Sequence, residues 1–323
     1  MKIYTIRDLL KDYFVSVTTD STHLRAAKTQ ALSLFQLHLA QTYKLSPTTL
    51  ATNLTPDHAL SFLTYLQESR SIETEHLYSR IALNFYQYLS QQAPTSISEQ
   101  DFADLTDQIG RLRRRKLHKP PKLSLATIQR IIATAQTTQP PQKQSAFDRH
   151  YLQVLRDKAL ILVMAETGLR VSEVCNLHRY QFANNHLTLA LGFSLPLTSS
   201  ATMSLDTYLS ERASLDNDQS LTTRQQLPLF ARHDKRASKR ILAISRWTIA
   251  NIIDDWFQIT LSPTEKQAII KKGLKISPHT FRHYFVVSAL TQTEDIAETM
   301  RLSRHKDPAT TRQYLSLISS NSE

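Results

Sequence analysis

Residues 277–314 read SPHTFRHYFVVSALTQTEDIAETMRLSRHKDPATTRQY. The opening piece, SPHTFRHYF, predicts a helix over 279–291 whose first turn carries His279, Arg282 and His283. Spacings of three and four residues put all three side chains on one helix face. Two imidazoles and a guanidinium there suit a phosphate: arginine offers a planar fork of donors, and histidine adds a hydrogen bond or a proton. The closing piece, RHKDPATTRQY, sets His305 nine residues before Tyr314. Each piece also has a plainer reading, as a solvated helix face or as one half-buried tyrosine among the chain's 12. His279 and His283 have the spacing of a zinc clasp, but Thr280 stands where the HExxH pattern needs glutamate.

Working outward, 323 residues are enough for two domains with real cores, and 41% hydrophobic content makes the chain globular. No apolar run approaches the ~18 residues that span a bilayer. The start, MKIYTIRDLLKDYF, lacks the apolar core and cleavage site of a signal peptide, so a cytoplasmic location is expected. Cys175 is the single cysteine, which excludes internal disulfides and multi-cysteine metal sites. With glycine at only 110, 168, 192 and 273, no glycine-rich phosphate cradle exists, so any phosphate must be held by side chains. The net charge of +11 is unevenly spread: residues 1–110 carry −3 and residues 111–323 carry +14. A polyanion-facing surface is therefore expected in the C-terminal two-thirds.

Along the chain, apolar periodicity predicts four helices at roughly 5–16, 22–43, 56–69 and 74–91, closed by the polar run at 94–98. These fall in a helical module over 1–110. RLRRRKLHKPPK (111–122) holds seven basic residues and a Pro-Pro pair, the pattern of an extended basic linker that lies along a nucleic-acid backbone. Its candidate DNA contacts are Arg113, Arg114, Arg115, Lys116, Lys119 and Lys122. A second domain over 123–323 opens at Ser124 as a helix cap. A helix over 151–166 then ends in ETGLRVSEVCNL, with Gly168 placed for a left-handed cap and Arg170 heading the next helix one turn before Glu173. Residues 186–198 predict a hairpin turning at Gly192. Short strands or loops are expected over 227–245, and further helices at 246–258, 263–272 and 294–302.

Together, TGLRVSEVCNL, SPHTFRHYF and RHKDPATTRQY resemble, in order and spacing, the tyrosine recombinase (phage integrase) family, and most of all its Xer-like members. The resemblance implies a mainly α fold with a small β-sheet: a helical, SAM-like core-binding domain followed by an α+β catalytic domain. It also implies that Arg170, His279, Arg282, His305 and Tyr314 are catalytic, with Glu173 and His283 in support. Tyr314 would attack a DNA phosphodiester to leave a 3′-phosphotyrosine, Arg170, Arg282 and His305 would stabilise the phosphoryl charge, and His279 would accept the tyrosine proton. The implied partner is double-stranded DNA, with self-assembly as a tetramer on it, at the nucleoid of a bacterium or archaeon and often in a mobile element. No metal, ATP, nucleotide or other cofactor is implied.

Three departures from the family pattern stand out. No lysine lies between Lys158 and Lys235, so the hairpin that usually carries a general acid has none. Lys239, Lys235 and His186 are the candidate substitutes. Arg304 occupies a position usually held by glycine, and only nine residues follow Tyr314, which puts a docking C-terminal helix in doubt. Two alternatives follow: a DNA-binding relative impaired in cleavage, and a zinc hydrolase built on His279, His283 and His305.

Overall fold

A computed structural model describes residues 4–16, 21–91, 97–115, 124–145, 147–189, 192–216, 220–237 and 240–319. The chain divides into two compact units, Met1–Leu117 and His118–Glu323. Among the described residues, no helix is long and apolar enough to cross a membrane.

The first unit is built from α1 (Ile6–Ser16), α2 (Thr22–Tyr43), α3 (Pro56–Ser69), α4 (Ile72–Ser90) and α5 (Glu99–Leu112). Its core includes Phe35, Phe62, Phe85 and Tyr86, all essentially sealed from solvent. All four helices read from the sequence are present, but the closure at 94–98 is corrected, because α5 adds a fifth helix to the unit. Ser98 caps α5, exchanging hydrogen bonds with Asp101, and α5 buries Leu105 and Ile109 against α3 and α4.

The basic linker is corrected in its first part. Glu75 of α4 is fully buried and needs a counter-charge, since an unpaired buried carboxylate is costly. Arg114 supplies it through its backbone N–H at 3.1 Å and its guanidinium, and also reaches the Arg70 carbonyl at 2.7 Å. His76 lies against the Arg114 carbonyl at 2.8 Å. Residues 111–112 are helical, and of Arg113, Arg114 and Arg115 only the last is exposed. Lys116, Lys119 and Lys122 lie outside the described residues.

The second unit runs through α6 (Leu125–Thr137), α7 (Arg149–Thr167), α8 (Val171–Cys175), β1 (Phe182–Ala183), β2 (His186–Thr188), β3 (Ser194–Pro196), α9 (Ser199–Glu211), α10 (Ala213–Asp216), α11 (Leu221–Gln225), α12 (Arg246–Thr260), α13 (Pro263–Lys271), α14 (Pro278–Thr293), α15 (Ile296–Ser303), α16 (Pro308–Arg312) and α17 (Leu315–Ser319). Buried Leu160 to Met164 make α7 the central helix, packed by α6, α9 and α14. The three strands form an antiparallel sheet in the order β1-β2-β3. The expected hairpin is β2–β3, with Leu187 opposite Leu195. β1 was not foreseen; it joins β2 through Asn184 and Asn185, both at positive φ, the two-residue turn that asparagine tolerates. The described residues of 227–245 form loops with isolated bridges, His178 to Pro228 and Ala231 to Ala243.

Gly168 ends α7 at φ 55°, donating its N–H to the Met164 carbonyl at 3.1 Å. A Cβ there would collide with the Phe285 ring. Gly192 also has positive φ, but a Cβ would meet nothing within 4 Å. Gly168→Ala should therefore cost about 2–4 kcal/mol from strain and overpacking together, and Gly192→Ala about 1 kcal/mol from strain alone. Urea unfolding of the two variants checks the difference.

Candidate active site

The α7 corner brings the distant motifs together. With Gly168 in the left-handed conformation the chain turns at once into α8, and Arg170 stands at its N-cap. The Arg170 N–H donates to Glu173 Oε2 at 2.6 Å and its Nη1 to Oε1 at 3.1 Å, while half of the Arg170 side chain stays exposed. Arg282, on the first turn of α14, is 3% exposed. It donates to the Gly168 carbonyl at 2.7 Å and to the Ser303 carbonyl at the end of α15. One buried guanidinium thus ties together three segments far apart in sequence.

The closing motif folds as two short elements. α15 stops at Arg304, which adopts φ 57°; a side chain in that conformation costs about 1 kcal/mol relative to glycine. Asp307 caps α16 by accepting from the Ala309 N–H at 2.9 Å. α16 then sets the Thr311 hydroxyl 2.9 Å from His305 Nδ1. Tyr314 follows directly, 2% exposed in an apolar cluster with Phe285, Val286 and Val287. Its hydroxyl is hydrogen-bonded to His283 Nδ1. His305 lies parallel to the Tyr314 ring, centroids 6.4 Å apart, and His279 meets His283 edge-on at 4.2 Å.

Burial first, then crowding by the His279 imidazole, the Arg282 guanidinium and the His305 imidazole, pushes His283 down to about 4. Burial, then Arg282, Arg170 and Arg304, takes His305 to about 4 as well. His279 is lowered by desolvation and then by Arg282 and Arg170. Desolvation moves Arg282 down to about 10, with Arg170 and Arg304 adding to it, so it stays cationic near neutrality. Burial lifts Tyr314 to about 12, opposed by Arg282. The site at neutral pH is therefore a protonated tyrosine beside neutral imidazoles and charged guanidiniums.

All seven second-unit site positions read from the motifs thus converge: Arg170, Glu173, His279, Arg282, His283, His305 and Tyr314. One contact differs from expectation, since the imidazole on the tyrosine hydroxyl belongs to His283 rather than His279. Lys235 does not join them. It lies on an exposed turn after His233, whose carbonyl accepts from Gln153 in the first half of α7 at 3.2 Å. Gln153 to Thr167 is about 20 Å of helix, so Lys235 is remote from the corner. Lys239 lies outside the described residues. His186 is exposed on β2, with Nδ1 against the Asn184 carbonyl at 2.8 Å. Among the described residues, no group of three or more His, Cys, Asp or Glu side chains is arranged to hold a metal. Sequence reasoning missed Thr311 and the role of Arg304. The signal for Arg304 was present, as a bulky residue at a position that favours glycine.

This convergence agrees with the comparisons. Residues 123–320 match the family described as Phage integrase family. The chain belongs to that family. Among curated proteins, this family member is 26% identical over 271 residues to a tyrosine recombinase XerC of Herpetosiphon aurantiacus, covering 81% of this chain and 75% of that protein. It is 25% identical over 222 residues to a tyrosine recombinase XerA of Pyrococcus furiosus, covering 66% of this chain and 64% of that one. It thus spans three quarters of the first relative and just under two thirds of the second. Among solved structures, it shares its fold with the XerH site-specific recombinase bound to difH substrate, with a TM-score of 0.59 and 14% identity over 99% of this chain and 85% of that one. The Tn1549 transposon integrase in complex with transposon right end DNA gives a TM-score of 0.60 and 13% identity over 96% of this chain and 95% of that one.

The histidine shifts have a consequence for stability. In the unfolded chain these histidines titrate near 6.5, but in the fold His283 and His305 stay neutral down to about 4. Between those values the unfolded state binds more protons, so stability is full above pH 6.5 and falls as pH drops toward 4. Thermal melting across pH 7 to 4.5 should show this acid limb, and His305→Gln, which cannot titrate, should make it shallower.

Proposed function

We propose that the chain is a site-specific DNA recombinase of the tyrosine type, which cleaves and rejoins strands through a 3′-phosphotyrosine. The observation that carries this reading is the Tyr314 hydroxyl bonded to His283 within reach of Arg282 and His305. A tyrosine whose proton is released only near pH 12 is a poor nucleophile, so attack needs a base in contact with it. His283, neutral above about pH 4, takes the proton as the Tyr314 oxygen bonds to phosphorus and the bond to the 5′-oxygen breaks. Arg282 and Arg170 hold the non-bridging oxygens, with His305 and His279 as further donors. The phosphotyrosine keeps the bond energy, so the 5′-hydroxyl can later reverse the step without ATP or metal. Double-stranded DNA is the partner, on which the chain assembles as a tetramer, and a cytoplasmic, nucleoid-associated location follows from that substrate.

A nicked suicide duplex tests the chemistry. Wild type should leave a DNA adduct that survives denaturation, and Tyr314→Phe none. His283→Ala should slow adduct formation by roughly 100-fold or more, with His279→Ala losing less. An equal loss in both variants would remove the assignment of the base. The β2–β3 hairpin carries no lysine, which favours a second reading, in which cleavage is impaired at protonation of the leaving oxygen. A duplex with a 5′-bridging sulfur needs no acid, so much faster cleavage of it by wild type supports that reading and equal rates oppose it.

The basic segment contributes backbone contacts through Arg115, Lys116, Lys119 and Lys122, because Arg114 is committed to Glu75 and Arg113 is half-buried. Every cation removed from a DNA phosphate should flatten the slope of log K against log salt by about 0.9. Replacing those four by alanine should lower affinity and slope together in a binding titration, whereas Arg114→Ala should mainly lower the melting temperature of the first unit.

A further inference from the structure

The residue at the end of α15 is the feature of the second unit least explained by the chemistry above. Arg304 holds a left-handed backbone conformation that glycine would adopt without strain, so the side chain must contribute something that glycine cannot. Its guanidinium donates to the Thr167 carbonyl at 3.4 Å, to the Gly168 carbonyl at 3.3 Å and to the Leu302 carbonyl at 3.0 Å. It also pairs with Glu173 Oε2 at 3.4 Å. Its own carbonyl accepts from Arg170 Nη2 at 3.4 Å. The Phe193 ring, just before β3, lies 5.9 Å from the Arg304 guanidinium carbon.

These contacts close a ring. Arg282 and Arg304 share the Gly168 carbonyl at the C-terminal, partly negative end of α7. Arg304 and Arg170 share Glu173. Three guanidiniums thus stand against a single carboxylate. Without Arg304, Glu173 would offset Arg170 and leave one uncompensated positive charge. With it, two remain. A phosphodiester brings one negative charge, whereas its five-coordinate transition state carries two, so the surplus matches the transition state better than the substrate.

We infer that Arg304 is a positioning residue for strand cleavage, which splits Glu173 between two guanidiniums to aim Arg170 and supplies the second uncompensated charge at the scissile phosphate. The inference rests on the reading of Tyr314 as nucleophile.

Arg304→Gly is the test, because glycine relaxes the backbone at φ 57° while removing the charge. Its melting temperature should be equal to or above wild type, and its affinity for the DNA duplex nearly unchanged. Adduct formation on the nicked duplex should fall by about 10- to 100-fold, less than the loss of a direct oxyanion donor. A duplex with a methylphosphonate at the scissile position lacks one non-bridging charge and needs less compensation. On it, Arg304→Gly should cleave within a few-fold of wild type, and on the normal duplex Arg304→Lys should recover part of the missing rate. Wild-type rates for Arg304→Gly on normal DNA would overturn the inference and leave Tyr314 as nucleophile untouched. An equal deficit on phosphodiester and methylphosphonate would overturn it too, marking Arg304 as a structural cap. Failure of wild type to form any adduct would instead defeat the recombinase reading, and this inference with it.

Discussion

The Gly168 carbonyl is the acceptor on which the second unit's site converges. It lies at the end of the central helix, where the backbone leaves carbonyls unpaired, and two cationic side chains from distant segments satisfy it. Arg282 fixes α14 to that corner and, through the Ser303 carbonyl, fixes the end of α15 as well. The corner exists because Gly168 takes a left-handed conformation with the Phe285 ring packed where a side chain would be. Arg170 is placed by the same turn, as the N-cap from which α8 starts.

Burial of the corner, more than its positive charge, governs the protonation of the groups in it. His283 and His305 are held neutral by burial and by the guanidiniums, so they can accept or donate without first losing a proton. Tyr314, buried to 2%, is held protonated. An anion entering this corner would offset the guanidiniums and raise the affinity of the neighbouring imidazoles for protons.

The first unit solves a different problem with the same chemistry. Glu75 is buried on α4, and Arg114 reaches it after α5 has passed. That pairing turns part of an apparently free basic tract into structure. A charge run in a sequence gives the number of cations but not their partners, and here one of them neutralises a buried carboxylate.

How much was legible follows from the range of the interaction. Helices α1 to α4 and α6, α7, α12 and α14 were readable because amphipathic spacing and capping residues act within a few positions. α5 has the same signal, with Leu105 and Ile109 buried and a Ser98 cap, but its polar surroundings hid it. β1 was missed because two residues carry no period, and only the Asn184-Asn185 turn marks it. The motif residues were readable because His279, Arg282 and His283 share one turn, and Arg170 and Glu173 another. By itself, the sequence determined which motif side chains share a turn, Arg170 with Glu173 and His279 with Arg282 and His283, since local backbone geometry sets what neighbours three or four residues apart can do. Which imidazole meets Tyr314, where Lys235 falls, and what Arg304 grips were decided only by tertiary structure. Those contacts join residues 31 and 131 positions apart, and packing around α7, not spacing along the chain, brings them together.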